Sequence, residues 1–169
     1  ADGLGHGPEA AKAADAAIAL ADNLVIPSAD ADNAGVVQSP AVIMQRAHHA
    51  LQGTRGAALA IGQINSEVGT LAFAGVGNIG VCIHYQESRR HLVSHNGIVG
   101  SNLRKVQEFS EKWERDALLI AHSDGINTRW DLDLYPGLVH CHAALIAAVI
   151  YRDFSRGRDD SAVVVVREQ

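Results

Sequence analysis

From Arg55 onward the chain alternates short apolar segments with turn clusters. "AALAIGQI", "TLAFAGV", "GVCIHYQ" and "HLVS" are divided by "NSEVG", "GVGN" and "ESRR". Segments this short, apolar and punctuated predict consecutive antiparallel strands. Upstream the period is helical. Pro8 suits a first helical position, and Glu9, Lys12, Asp15, Ala19 and Asp22 leave a broad Ala/Ile/Leu/Val face, which predicts a helix over 8–26. A polar loop from Ser28 to Gln38, bearing Asp30, Asp32 and Asn33, leads to Ser39 as a cap and Pro40 as the start of a second helix to about Gln52. Downstream, "ALLIAHS" at 117–123 reads as a strand that stops at Asp124-Gly125, residues 141–155 as a helix, and "SAVVVV" as a closing, central strand. Helices and strands segregated in this way predict an α+β fold, and 169 residues fit a single domain over 1–169.

Charge and cysteine content exclude several classes of function. With 14 basic and 19 acidic residues the chain has no electrostatic footprint for nucleic acid or an anionic membrane. Cys82 and Cys141 form neither a disulfide framework nor a zinc pattern, which suits a reducing cytoplasm. No apolar run reaches the ~18 residues of a membrane span, and no leader or lipidation signal is present in this sequence.

Three acidic, glycine-flanked turns stand next to predicted strand ends: "ADG" at Asp2, "SDG" at Asp124 and "GRDD" at Asp159 and Asp160. Hard divalent cations take oxygen ligands, and Mg²⁺ keeps several waters beside a few carboxylates, so aspartates gathered from separate strand ends form a suitable donor set. A glycine after the aspartate lets its carbonyl reach an ion. Two metals about 3.5–4 Å apart would hold a water as nucleophile and clamp a phosphoryl group. Each turn, taken singly, reads first as an ordinary Asp-Gly turn or a helix cap, and only the three together point to a metal site.

At these residues the sequence resembles the metal-dependent PPM family of serine/threonine phosphatases, in its bacterial SpoIIE-like branch. The family pattern is Asp-Gly-x-Gly-x-Gly, then Ser-Asp-Gly, then a terminal Asp-Asp or Asp-Asn before a β-branched strand. Here these are "DGLGHG", "HSDG" and "GRDDSAVVVV", in order along the chain. "RGAALAIGQINSEVGTLAFAGVGNIG" and "TRWDLDLYPGL" further resemble RsbX-like stress-signalling phosphatases, which act on STAS-domain proteins. The resemblance implies an αββα sandwich of two packed antiparallel sheets flanked by helices, with two Mn²⁺ or Mg²⁺ ions. It implies that Asp2 bridges both ions, Gly3 lends its carbonyl, Asp124 and Asp159 complete the shell, and Asp160 supports them. In the family, strands bearing a further acidic ligand precede the first motif; none precedes Ala1 here, so the fold expected is that sandwich without its N-terminal strands. Leu4 stands where eukaryotic relatives carry a histidine that protonates the leaving alcohol, and His6 does not inherit that role.

Other features read differently. "GVGNIG" at 75–80 has dinucleotide-binding spacing, but a strand pattern follows it, so its glycines are expected to form a tight hairpin. Among nine histidines, His48-His49 and the His140-Cys141-His142 run have no tetrahedral zinc spacing and read as surface or capping residues. By alternation His122 is expected on the same sheet face as Asp124. Arg55, Arg156 and Arg158 are candidates for steering a phosphorylated substrate. Trp113, Trp130 and Tyr135 read as packing residues, with "TRWDLDLYPG" as a candidate docking loop. The expected function is cytoplasmic, metal-dependent hydrolysis of phosphoserine or phosphothreonine on a bacterial STAS-type signalling protein by a metal-activated water. The competing expectation is a catalytically weak relative that binds a phosphoprotein.

Overall fold

The computed structural model describes residues 1–25, 38–85, 88–157 and 159–168. The expected α+β architecture, two antiparallel four-stranded sheets with helices, is observed. The chain divides into two compact units, one of Ala1–Ile64, Leu71–Gly77 and Ser94–Glu111, the other of Asn65–Thr70, Asn78–Val93 and Lys112–Gln169. The polar loop expected between Ser28 and Gln38 lies, apart from Gln38, outside the described residues.

The first unit carries β1 (Asp2–Gly3), β2 (Ala57–Asn65), β3 (Thr70–Val76) and β6 (Glu108–Lys112) in the order β1-β2-β3-β6, with α1 (Pro8–Val25) and α2 (Pro40–Ala50). Ala10, Ala13 and Ala17 recur along one stripe of α1 and are buried, and so do Ile43, Met44, Ala47 and Leu51 at the helical period of α2. Small alanines let the helices approach the sheet residues Ala57, Leu59, Ala74 and Val76 in one core. Ser39 occupies the cap position of α2 without a side-chain bond. The Glu108 carboxylate accepts from the Ala41 N–H at 2.9 Å instead, so a strand residue satisfies this free helix donor.

The second unit carries β4 (Gly80–Tyr85), β5 (Ser88–Leu92), β7 (Leu118–His122) and β8 (Val163–Arg167) in the order β5-β4-β7-β8, with α3 (Ala143–Phe154). Every pair is antiparallel, with Cys82 opposite Ile120 and Ile120 opposite Val165. These residues share a core with Leu118, Ile126, Trp130, Leu138, Ile146 and Ile150.

Several expectations need correction. The glycines of "GVGNIG" form no hairpin, because β3 and β4 belong to different sheets. Backbone groups after β3 pair with His95 instead: its N–H donates to the Gly75 carbonyl and its carbonyl accepts from Gly77, both at 2.9 Å. The valine run of β8 is an edge strand, not a central one; Val163 and Val165 face the core while Val164 is 56% exposed. Four adjacent β-branched residues report strand propensity and one packed face, not position within the sheet. Part of the "ESRR" stretch, expected to separate strands, lies within β5, and β6 is a strand the sequence reading did not assign. Both are polar edge strands without an apolar period.

Two outcomes follow from this packing. Ile120→Ala, at a fully buried position, is expected to cost about 2–5 kcal/mol in urea denaturation. Val164→Ala is expected to change stability by less than about 0.5 kcal/mol; equal costs would contradict the assigned faces. Burial pushes the Cys82 thiol up to about 12, against a partial lowering by Arg89. The folded chain therefore keeps a proton that the unfolded thiol releases near about pH 8.5, so stability falls as pH rises from there toward 12. Denaturation at pH 8 and pH 10 is expected to show a steeper loss for the wild-type chain than for Cys82→Ala, and identical slopes would refute the buried neutral thiol.

Candidate active site

In the first unit, Asp2 stands opposite Ala58 and Gly3 opposite Ala57. The Leu4 N–H continues the ladder to the Gly56 carbonyl at 2.9 Å. A Cβ on Gly3 would lie 1.9 Å from the Ala10 carbonyl oxygen, so this glycine is what lets the first turns of α1 rest on the strand. Gly5 has φ +85, a left-handed conformation that turns the chain toward the helix. Asp2 is half-buried, while Leu4 and His6 are exposed.

In the second unit, β7 ends at His122 opposite Val163 of β8, so the "SDG" and "GRDD" turns emerge at the same sheet end. Serines fasten them together. The Ser123 hydroxyl donates to the Asp160 carbonyl at 3.1 Å and accepts from the Ala162 N–H at 3.0 Å. The Ser161 hydroxyl donates to the Gly125 carbonyl at 3.1 Å. The Arg156 N–H donates to the same carbonyl at 2.8 Å. A Cβ on Gly125 would stand 2.3 Å from the Asp160 carbonyl oxygen. Asp124, half-buried, accepts from the Asn78 amide at 2.5 Å. Asp159, exposed, accepts from the Asp160 N–H at 2.9 Å, which orients its carboxylate within its own turn.

The structure thus brings the Asp124 and Asp159 turns together within the second unit; Asp2 and Gly3 belong to the first. Carboxylates on two turns fastened together supply the oxygen ligands that a hard divalent cation takes. Among the described residues no group of three or more His, Cys, Asp or Glu is placed to hold a metal ion. Asn78, Ser123 and Ser161 are contributors that the sequence reading missed. The serines were visible beside both acidic turns, in "HSDG" and "DDSA"; Asn78 carried no signal, because its contact with Asp124 spans two distant segments.

Other candidates have structural roles. His122 is buried, its ring packed on Gly80 and edge-on to Trp130 at 6.2 Å, and its Nδ1 bonds the Ser123 carbonyl at 2.9 Å. The strand ends at His122, so alternation does not carry over to Asp124 in the turn. His142 caps α3 by accepting from the Ala144 N–H at 3.2 Å, and His48 accepts from the Gly100 N–H at 3.0 Å. Trp113 and Trp130 are buried. Arg89 lies 4.6 Å above the Trp130 ring and donates to its carbonyl. Tyr135 donates to Asp153, whose carboxyl the neighbouring Arg152 and this phenol hold down to about 2. Arg158 lies outside the described residues. No helix among the described residues is long and apolar enough to cross a membrane.

Comparison with known proteins gives these features a family. The model of the family described as stage II sporulation protein E (SpoIIE) matches residues 1–169. A solved structure described under the bacterial stressosome, a modular system adapted to control secondary messenger signaling, is 32% identical over 98% of this chain and 81% of that one, with a TM-score of 0.82. RsbX in complex with magnesium is 21% identical over 97% of this chain and 76% of its own, with a TM-score of 0.75. The phosphatase domain of the cell fate determinant SpoIIE from Bacillus subtilis, presoaked with Mn, is 20% identical over 100% of this chain and 76% of its own, at 0.54. The last two likenesses speak for the fold alone. A search of curated proteins returned no match. The chain belongs to the SpoIIE family of PP2C-like, PPM-type phosphatase domains.

Proposed function

We propose that residues 1–169 act as a single metal-dependent phosphatase domain that hydrolyses phosphoserine or phosphothreonine on a bacterial signalling protein of the STAS type in the cytoplasm. The observation that carries this reading is the fastening of the Asp124 and Asp159 turns at one sheet end by Ser123 and Ser161. Membership of a phosphatase family supports the reaction class, and the likeness to a stressosome structure and to RsbX supports a signalling partner.

The proposed ligands for two Mn²⁺ or Mg²⁺ ions are Asp2, the Gly3 carbonyl, Asp124 and Asp159, with Asp160 in support. When bound, such ions supply a nucleophilic water and offset charge on the phosphoryl oxygens. The chain's own groups prepare that chemistry. The Asn78 amide holds one oxygen of Asp124, leaving the other for a ligand, and the Asp160 N–H does the same for Asp159. Gly125 keeps the two turns at backbone contact. A second reading, a phosphoprotein-binding relative with weak catalysis, is favoured by the lack of a three-residue ligand group among the described residues.

Asp124→Asn and Asp159→Asn are each expected to abolish Mn²⁺-dependent hydrolysis of a small aryl phosphate. Asn78→Ala, which loosens a ligand without removing it, is expected to lower the rate about 10–100-fold. Chelation should stop the wild-type reaction and added Mn²⁺ restore it. Wild-type rates in both aspartate variants would refute the ligand assignment. Tight phosphoprotein binding by a chain that neither binds Mn²⁺ nor turns over would select the second reading.

A further inference from the structure

The three arginines that sequence analysis offered as phosphate partners are not equivalent. Arg158 lies outside the described residues, and Arg156 enters its turn through a backbone N–H. Arg55 is fixed by strand register. Asp2 faces Ala58, Gly3 faces Ala57, and Leu4 bonds Gly56, so the next residues across from one another are Gly5 and Arg55. The Arg55 Nη1 atom stands 3.0 Å from the point a Cβ on Gly5 would occupy. Position 5 is therefore bare on two counts, its left-handed φ and the guanidinium seated over it. The Arg55 side chain is exposed, and among the described residues no ion pair or hydrogen bond neutralises it.

We propose that Arg55 is a phosphate-recognition residue, binding the phosphoryl oxygens of a phosphomonoester substrate at the Gly5 end of β1. This rests on the phosphatase reading. A guanidinium is always charged at working pH and offers paired N–H donors that match two phosphate oxygens. The neighbouring Gly56 carbonyl accepts from the Leu4 N–H, so the strand ladder is closed without the arginine side chain and its donors stay available to a ligand. A contact that recognises the phosphoryl group already in the ground state is lost as a rise in KM. The same contact retains inorganic phosphate after hydrolysis.

The test compares the wild-type chain with Arg55→Ala and Arg55→Lys. Its two readouts are calorimetric titration with inorganic phosphate in the presence of Mn²⁺ and steady-state hydrolysis of a phosphoserine peptide. Arg55→Ala is expected to weaken phosphate binding and raise KM by about tenfold or more, with kcat within about threefold of wild type. Arg55→Lys should fall between, keeping charge without the two-pronged geometry. Unchanged phosphate affinity and KM in both variants would overturn the proposal, as would a fall in kcat at constant KM or a wild-type chain that binds no phosphate. If the wild-type chain hydrolyses nothing, the phosphatase reading fails, yet the titration still decides Arg55: a tenfold loss in the alanine variant supports the contact and equal affinity removes it.

Discussion

Gly125 meets the backbone of the opposing turn so closely that any Cβ would collide with the Asp160 carbonyl oxygen. Because that approach is possible, the Ser123 and Ser161 hydroxyls each reach a backbone carbonyl on the other turn. Those bonds leave Asp124 and Asp159 at one end of the β7–β8 pair. A side chain at position 125 would force the turns apart, and overpacking of this kind costs on the order of 1–3 kcal/mol beyond the lost hydrogen bonds.

The first unit uses the same device. Gly3 follows Asp2 as Gly125 follows Asp124, and again its bare face meets a backbone carbonyl, that of Ala10. In both pairs the glycine docks a strand end against neighbouring backbone while the aspartate before it remains partly open to solvent. An Asp-Gly dipeptide at a strand end thus does more than make a turn. It combines a rigid anchor with a carboxylate, the combination a cation site requires if its ligands are not to reorganise on binding. The glycine-rich opening stretch has a corresponding explanation, in which Gly3 admits the helix and Gly5 turns the chain beneath Arg55.

The helices, most strands and the acidic turns were legible because each is a local pattern: Pro8 and Pro40 at helix starts, alanine stripes, valine runs, glycine after aspartate. What was not legible is set by partners distant in sequence. The Gly75–Gly77 stretch bonds His95 and so leaves its sheet without a hairpin, which no feature of "GVGNIG" announces. β8 lies at an edge, and nothing in its valines says how many neighbours it has. β5 and β6 carry arginines, glutamates and lysine in edge positions, where a polar composition is tolerated and the apolar period is lost. Ser39 looked like a cap, but Glu108 of β6 accepts from the helix N–H of Ala41. Asn78 beside Asp124 belongs to the same class of long-range contact.

The central claim is that these anchored aspartates hold a pair of divalent ions. Electron paramagnetic resonance of the chain loaded with two equivalents of Mn²⁺ tests it most directly. Ions about 3.5–4 Å apart should give a spin-coupled spectrum, replaced in Asp124→Asn by that of isolated Mn²⁺. A wild-type spectrum of free aqueous Mn²⁺ alone at the same loading would contradict the account.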